Sequence, residues 1–95
     1  MIEVQFGSFY PAKGKSSNLL DFAKPAKSIE DLWWKVGNSY SLYIRPDDTF
    51  FFNRLYEARH QIFKWGYREV ADNVFVRDDS LSSMVCVDCA VIRRG

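Results

Sequence analysis

Ile2, Val4 and Phe6 alternate with Glu3 and Gln5, the period-two pattern of a strand with one buried face, and a strand is predicted over residues 1–10. Pro11 to Ser17 reads as a loop, after which Asn18 can cap a short helical stretch, Leu19 to Lys24, that Pro25 ends. Ser28 opens a second helix. Its hydroxyl can accept the amide of Asp31, and Ile29, Leu32, Trp33 and Val36 then form one apolar stripe that stops at Gly37. Trp34 lies off that stripe.

Alternation returns over Asn38 to Arg45, with Tyr40, Leu42 and Ile44 on one face and Ser39, Ser41, Tyr43 and Arg45 on the other. Pro46-Asp47-Asp48 turns the chain, and Asp48 or Thr49 is expected to cap the longest helix, about 50–65, closed by Gly66. Phe51, Leu55, Ala58, Ile62 and Trp65 would be its core face, and Asn53, Glu57, His60 and Lys64 its polar face. Two strands, Tyr67 to Ala71 and Val74 to Arg77, flank a turn at Asp72-Asn73. A plain two-residue turn would set Arg68 opposite Arg77, like charges that repel, so the register stays open. The last strand, 84–93, is apolar on both faces: Val85, Val87, Cys89 and Val91 on one, Met84, Cys86, Ala90 and Ile92 on the other. Such a strand is covered from both sides. The expected fold is α+β, a mostly antiparallel sheet of about five strands with the two main helices packed on one face.

Composition bounds what this fold can be. The 95 residues suffice for one domain, 1–95, and the balance of 47% hydrophobic and 26% charged residues is that of a packed globule. A net charge of +1 provides no global field for nucleic acid or an acidic membrane. The start of the chain lacks the basic and apolar regions of an export signal, and no run of about twenty apolar residues exists to span a bilayer. With only two cysteines besides, the expected location is the cytoplasm, with no membrane partner.

The residues that could carry chemistry are few. Cys86-Val87-Asp88-Cys89 has metal-like spacing, but zinc needs four ligands, and residues three apart in a strand point to opposite faces. Glu57 and His60 stand one helical turn apart, once, where bridged metal sites need that motif twice. The pairs Asp47-Asp48 and Asp78-Asp79 suit turns and caps, and Gly14-Lys15-Ser16 lacks the upstream glycine of a phosphate loop. No catalytic residue, metal site or cofactor is assigned. A small metal-dependent hydrolase or nuclease is carried only as an alternative, as is single-stranded nucleic-acid binding through Lys13, Lys15, Lys24 and Lys27 of the basic 11–27 segment.

What remains is an excess of aromatic side chains, 17% of the chain. The apolar stripes absorb Phe6, Trp33, Tyr40, Phe51, Trp65 and Phe75, and leave Trp34, Tyr43, Phe50, Tyr56, Phe63 and Tyr67 over. Tyr and Trp beside arginine make binding hot spots, because they offer much rigid area at little entropic cost. The leading expectation is therefore a protein-binding module, an inhibitor or adaptor that occupies a surface on a larger partner. Trp34, Tyr43 and Arg45 would form its centre and Arg54 or Lys64 its polar rim. In style, though not in any motif, this resembles the small proteins of phages and mobile elements that block host enzymes or defence complexes.

Overall fold

The computed structural model describes residues 1–44, 49–78 and 86–94. Its elements are β1 (Ile2–Pro11), a 3-10 turn over Leu19–Phe22, α1 (Ile29–Val36), β2 (Tyr40–Ile44), β3 (Phe50–Phe52), α2 (Leu55–Lys64), β4 (Arg68–Ala71), β5 (Val74–Asp78) and β6 (Val87–Arg94). The strands form one antiparallel sheet in the order β2-β1-β6-β5-β4, and β3 also pairs with β1. The α+β class and the antiparallel sheet follow the sequence pattern, with six strands in place of about five. Of the predicted last strand, Met84 and Val85 lie outside the described residues, as do Asp47, Asp48 and Asp79.

The helices, however, do not share a face. Phe9, Val74, Val76, Val87, Cys89 and Val91 pack with Ile29, Leu32 and Val36 of α1 in one core. Val4, Phe6, Phe75, Ala90 and Ile92 pack with Ala58 and Ile62 of α2 in another. Within each strand the two sets occupy alternating positions, so α1 and α2 cover opposite sides of the sheet. The cause is written in β6 and β5, which are apolar at successive positions and need both faces covered.

The second departure is at residues 50–54. Phe50, Phe51 and Phe52 are a strand, with Val4 opposite Phe50 and Ile2 opposite Phe52, and α2 begins only at Leu55. Three consecutive aromatics suit a pleated ribbon, and in a helix they would radiate over most of its circumference. Thr49 therefore caps nothing helical, and Phe51, expected in the core, is 60% exposed. Ala58 and Ile62 remain the buried face of α2 as its periodicity implied.

Two local devices shape the rest. Gly66, at φ +92°, ends α2: its N–H donates to the Phe63 carbonyl (3.0 Å) and Tyr67 N–H to the Ile62 carbonyl (3.2 Å). This Schellman pattern turns Tyr67 inward against the Phe6 ring, centroids 5.8 Å apart, which corrects the expectation that Tyr67 is surplus. In the β4–β5 hairpin, Ala71 pairs with Val74 across Asp72-Asn73, and a register shift between Glu69 and Ala71 then sets Arg68 opposite Val76. The bulge keeps Arg68 from facing Arg77.

Arg59 ties α2 to that hairpin. Its Nη1 and Nη2 donate to Glu69 at 2.5 and 2.7 Å, its guanidinium lies 5.7 Å from the Phe63 ring and 5.5 Å from the Phe75 ring, and Asn73 N–H also donates to Glu69 (3.1 Å). The bond from Arg59 holds the Glu69 carboxyl below its ordinary value near 4.5. A carboxyl so depressed contributes stability that is fully present above that value and is lost as pH falls through the folded-state value. Arg59→Ala is expected to cost about 1–3 kcal/mol at neutral pH. It should also flatten the acid limb of the stability curve, measured by urea unfolding between pH 7 and pH 3. Parallel curves for the variant and the parent would show that the pair contributes nothing.

Candidate functional site

The edge formed by β2 and β3 carries two of the surplus aromatics, Tyr43 and Phe50, whereas Tyr56 and Phe63 are exposed on α2. Both strands run antiparallel to β1 along one side, Gly7 to Pro11 opposite β2 and Ile2 to Val4 opposite β3. Of β1 only Gln5 and Phe6 separate the two paired stretches, so β2 and β3 follow one another along the same side of it. Tyr40 to Ile44 and Phe50 to Phe52 contain no charged residue. The opposite edge, β4, is only four residues long, carries Arg68 and Glu69, and is bulged. Charge, shortness and bulges are how edges are kept from pairing. By that criterion β4 is protected and β2 is not.

The phase of the ladder shows which backbone groups face outward. Ala12 N–H donates to the Ser39 carbonyl (2.9 Å), one pair beyond the Pro11–Tyr40 register. Antiparallel pairs alternate between those that exchange hydrogen bonds and those that do not. Hence Tyr10–Ser41 and Ser8–Tyr43 exchange bonds, while the peptide groups of Tyr40, Leu42 and Ile44 point away from β1. The indole Nε1 of Trp33 donates to the Tyr40 carbonyl (3.0 Å) from that outer side, as this phase requires. Along β3 the same alternation turns the peptide groups of Phe51 outward. Among the described residues, Leu42, Ile44 and Phe51 have no partner for these groups.

Side chains flank this row on both faces of the sheet. Tyr43, 60% exposed, and Phe50 stand on the α2 side, where Phe50 meets the Phe6 and Trp65 rings at 5.8 and 5.2 Å. Ile44 and Phe51 stand on the α1 side. Trp34, 74% exposed, has its ring 5.1 Å from Trp33, which reaches the edge at Tyr40. Tyr40 itself is buried: its hydroxyl donates to Asp21 (2.9 Å) and accepts from Asn18 N–H (2.8 Å), anchoring the 3-10 turn. Trp34 and Tyr43 are thus on the same margin of the molecule, but on opposite faces of the sheet. Arg45 lies outside the described residues. Arg54 is the N-cap residue of α2 and follows β3 closely, whereas Lys64 is the helix's last residue, about 15 Å further along the axis. Of the two alternative rim cations, Arg54 is therefore the one that closely follows β3. Phe50 and Phe51 also join the strip, which the helical pattern of the sequence concealed.

The other sequence candidates are placed as follows. Lys13 and Lys15 are exposed in the loop after β1, and Lys24 Nζ donates to the Lys35 carbonyl at the end of α1 (3.0 Å). Lys27 N–H donates to Asp31 (3.0 Å), and its side chain, with Lys35, Arg93, Asp72 and Asn73, lines an open cleft of about 500 Å³. Lys35 is already engaged there by Asp31 (3.1 Å) and by the Pro25 carbonyl. Cys89 lies in the α1-side core, where burial pushes its thiol well above the ordinary range, so it is no ready thiolate; Cys86 immediately precedes β6. Among the described residues no three His, Cys, Asp or Glu side chains come together as metal ligands. No helix among them is long and apolar enough to cross a membrane. Comparison of the chain with protein-family models, with curated proteins and with solved structures found no match.

Proposed function

We propose that this chain is a protein-binding module, an inhibitor or adaptor that occupies a surface on a larger protein partner. The observation that carries the reading is the β2–β3 edge, whose two strands hold no charged residue and whose outward peptide groups at Leu42, Ile44 and Phe51 are flanked by exposed Trp34, Tyr43, Phe50 and Phe51. A row of unpaired backbone groups bordered by aromatics combines the two ingredients of strand-mediated recognition, main-chain hydrogen bonds and rigid apolar area. Trp34 and Tyr43 supply the anchors, and Arg54 is the cation nearest in sequence to β3.

Trp34→Ala tests this without disturbing the core, because the indole is largely in solvent. Immobilised parent and variant proteins are exposed to lysate of the native host, and retained proteins are compared. The expected result is a partner held by the parent and weakened by over ~1 kcal/mol with the variant, at nearly unchanged melting temperature. Equal retention by both proteins, or loss of retention accompanied by loss of fold, would overturn the reading.

A further inference from the structure

The open part of the β2 edge is shorter than the strand. Trp33 occupies the outward carbonyl of Tyr40, which leaves the N–H and C=O of Leu42 and Ile44 as the groups along β2 with no partner among the described residues. These two residues flank Tyr43, whose own peptide groups are spent on Ser8 and whose ring is exposed. A partner strand that satisfies all of them must present a donor and an acceptor at two positions spaced two residues apart, running antiparallel or parallel.

We propose that this partner is a second copy of the same chain, paired antiparallel about a two-fold axis at Tyr43. The inference rests on the reading of this edge as an association surface and names what covers its β2 part when the larger partner is absent. In that register Leu42 N–H donates to the partner's Ile44 carbonyl and Ile44 N–H to the partner's Leu42 carbonyl, and the symmetry repeats both bonds in the other direction. Every outward group of Leu42 and Ile44 is then used. Leu42 meets the partner's Ile44 on the α1 side, apolar against apolar. The two Tyr43 rings meet on the α2 side, in the close, non-hydrogen-bonded position of an antiparallel ladder. A register moved by two residues towards Tyr40 would instead compete with Trp33 for the Tyr40 carbonyl. Because no charged residue lies between Tyr40 and Ile44, pairing the strand with itself brings no like charges together. The other edge, β4, is charged and bulged, so the pairing closes at two copies and does not propagate.

The contact is at the small end of specific interfaces, so the dimer should form at concentrations on the order of 100 µM and above. Sedimentation equilibrium of the full chain across that range is expected to show the mass rising towards twice the monomer. Leu42→Pro removes one outward N–H and no bond to β1, so it should remain monomeric there while keeping the parent's fold by circular dichroism. As a second readout, Tyr43→Cys in a Cys86→Ser background should form an intermolecular disulfide on mild oxidation. The Cα separation of such pairs, about 4.5 Å, falls within disulfide range. Ser41→Cys in the same background sits two residues out of register and should not. A parent protein that stays monomeric throughout, association undiminished by Leu42→Pro in a folded variant, or equal cross-linking of the two cysteine variants would each overturn the proposal. None of these results would touch the reading of a larger partner, which stands or falls with Trp34→Ala.

Discussion

Replacing Phe9 by alanine is expected to remove roughly 3–5 kcal/mol of folding stability, the largest single effect anticipated for this chain. Phe9 is fully buried, with its ring 4.9 Å from that of Phe22 and 6.4 Å from that of Tyr40. Those two rings are themselves 5.0 Å apart, so the three form one cluster that joins β1, β2 and the 3-10 turn. Truncation leaves a cavity that α1 cannot fill by sliding inwards, because Ile29 N–H is held by the Gln5 side chain (3.1 Å) and Trp33 by the Tyr40 carbonyl. Against a total of about 5–15 kcal/mol for a domain of this size, the loss should lower the melting temperature by well over roughly 10 °C. Phe51→Ala is the matched comparison. In a helix over 50–65 it would be a core residue and cost as much as Phe9, whereas on the open β3 edge it should cost about 0.5 kcal/mol or less. Similar losses for the two variants, read by thermal or urea unfolding, would contradict the placement of Phe51.

Gly7→Val should also destabilise, by roughly 1–3 kcal/mol, although strand propensity alone favours valine over glycine by up to about 1 kcal/mol. The two effects have opposite signs, and distance decides between them. A β-carbon at Gly7 would stand 2.6 Å from Ile29 Cγ2 and 3.4 Å from Leu42 Cδ1. Ile29 is fully buried and branched at Cβ, so its methyl group cannot swing aside, and the helix it belongs to is pinned by Gln5. The glycine is therefore a consequence of how closely α1 approaches β1. A stabilising Gly7→Val would mean that α1 has room to lift. Ile29→Ala removes the opposing methyl, so the costs of Gly7→Ala and Ile29→Ala should be less than additive in a double-mutant cycle.

Both predictions depend on contacts between residues far apart in the chain, and that separates what was legible in the sequence from what was not. The alternation in residues 2–6 determined β1. The Ser28 hydroxyl does accept Asp31 N–H (3.0 Å), and the stripe of Ile29, Leu32 and Val36 is buried, because a capped helix signals itself within one turn. The doubly apolar pattern of β6 correctly implied cover on both sides, yet it does not say which helix covers which side. That was decided only when β5 and β6 offered two apolar faces and each helix took one.

Residues 50–52 show the converse. Their spacing to Leu55, Ala58 and Ile62 fits a helix, but pairing with Ile2 and Val4 outweighs that local pattern, and the pairing partner lies nearly fifty residues away. Of the candidate site, the exposure of Trp34 and Tyr43 was readable, since each falls off its element's apolar stripe. The local pattern of Phe50 and Phe51 is that of a helix although they lie in β3, and Tyr67 is turned inward by the helix ending at Gly66. The outward peptide groups of Leu42 and Ile44 have no signature in the sequence at all. They follow from the hydrogen-bonding phase of β2 on β1, a quantity that exists only once the two strands are paired. Side-chain pattern thus determined the elements and two of the exposed aromatics. Strand pairing, which depends on backbone groups common to every residue, decided where this protein has an edge left to bind with.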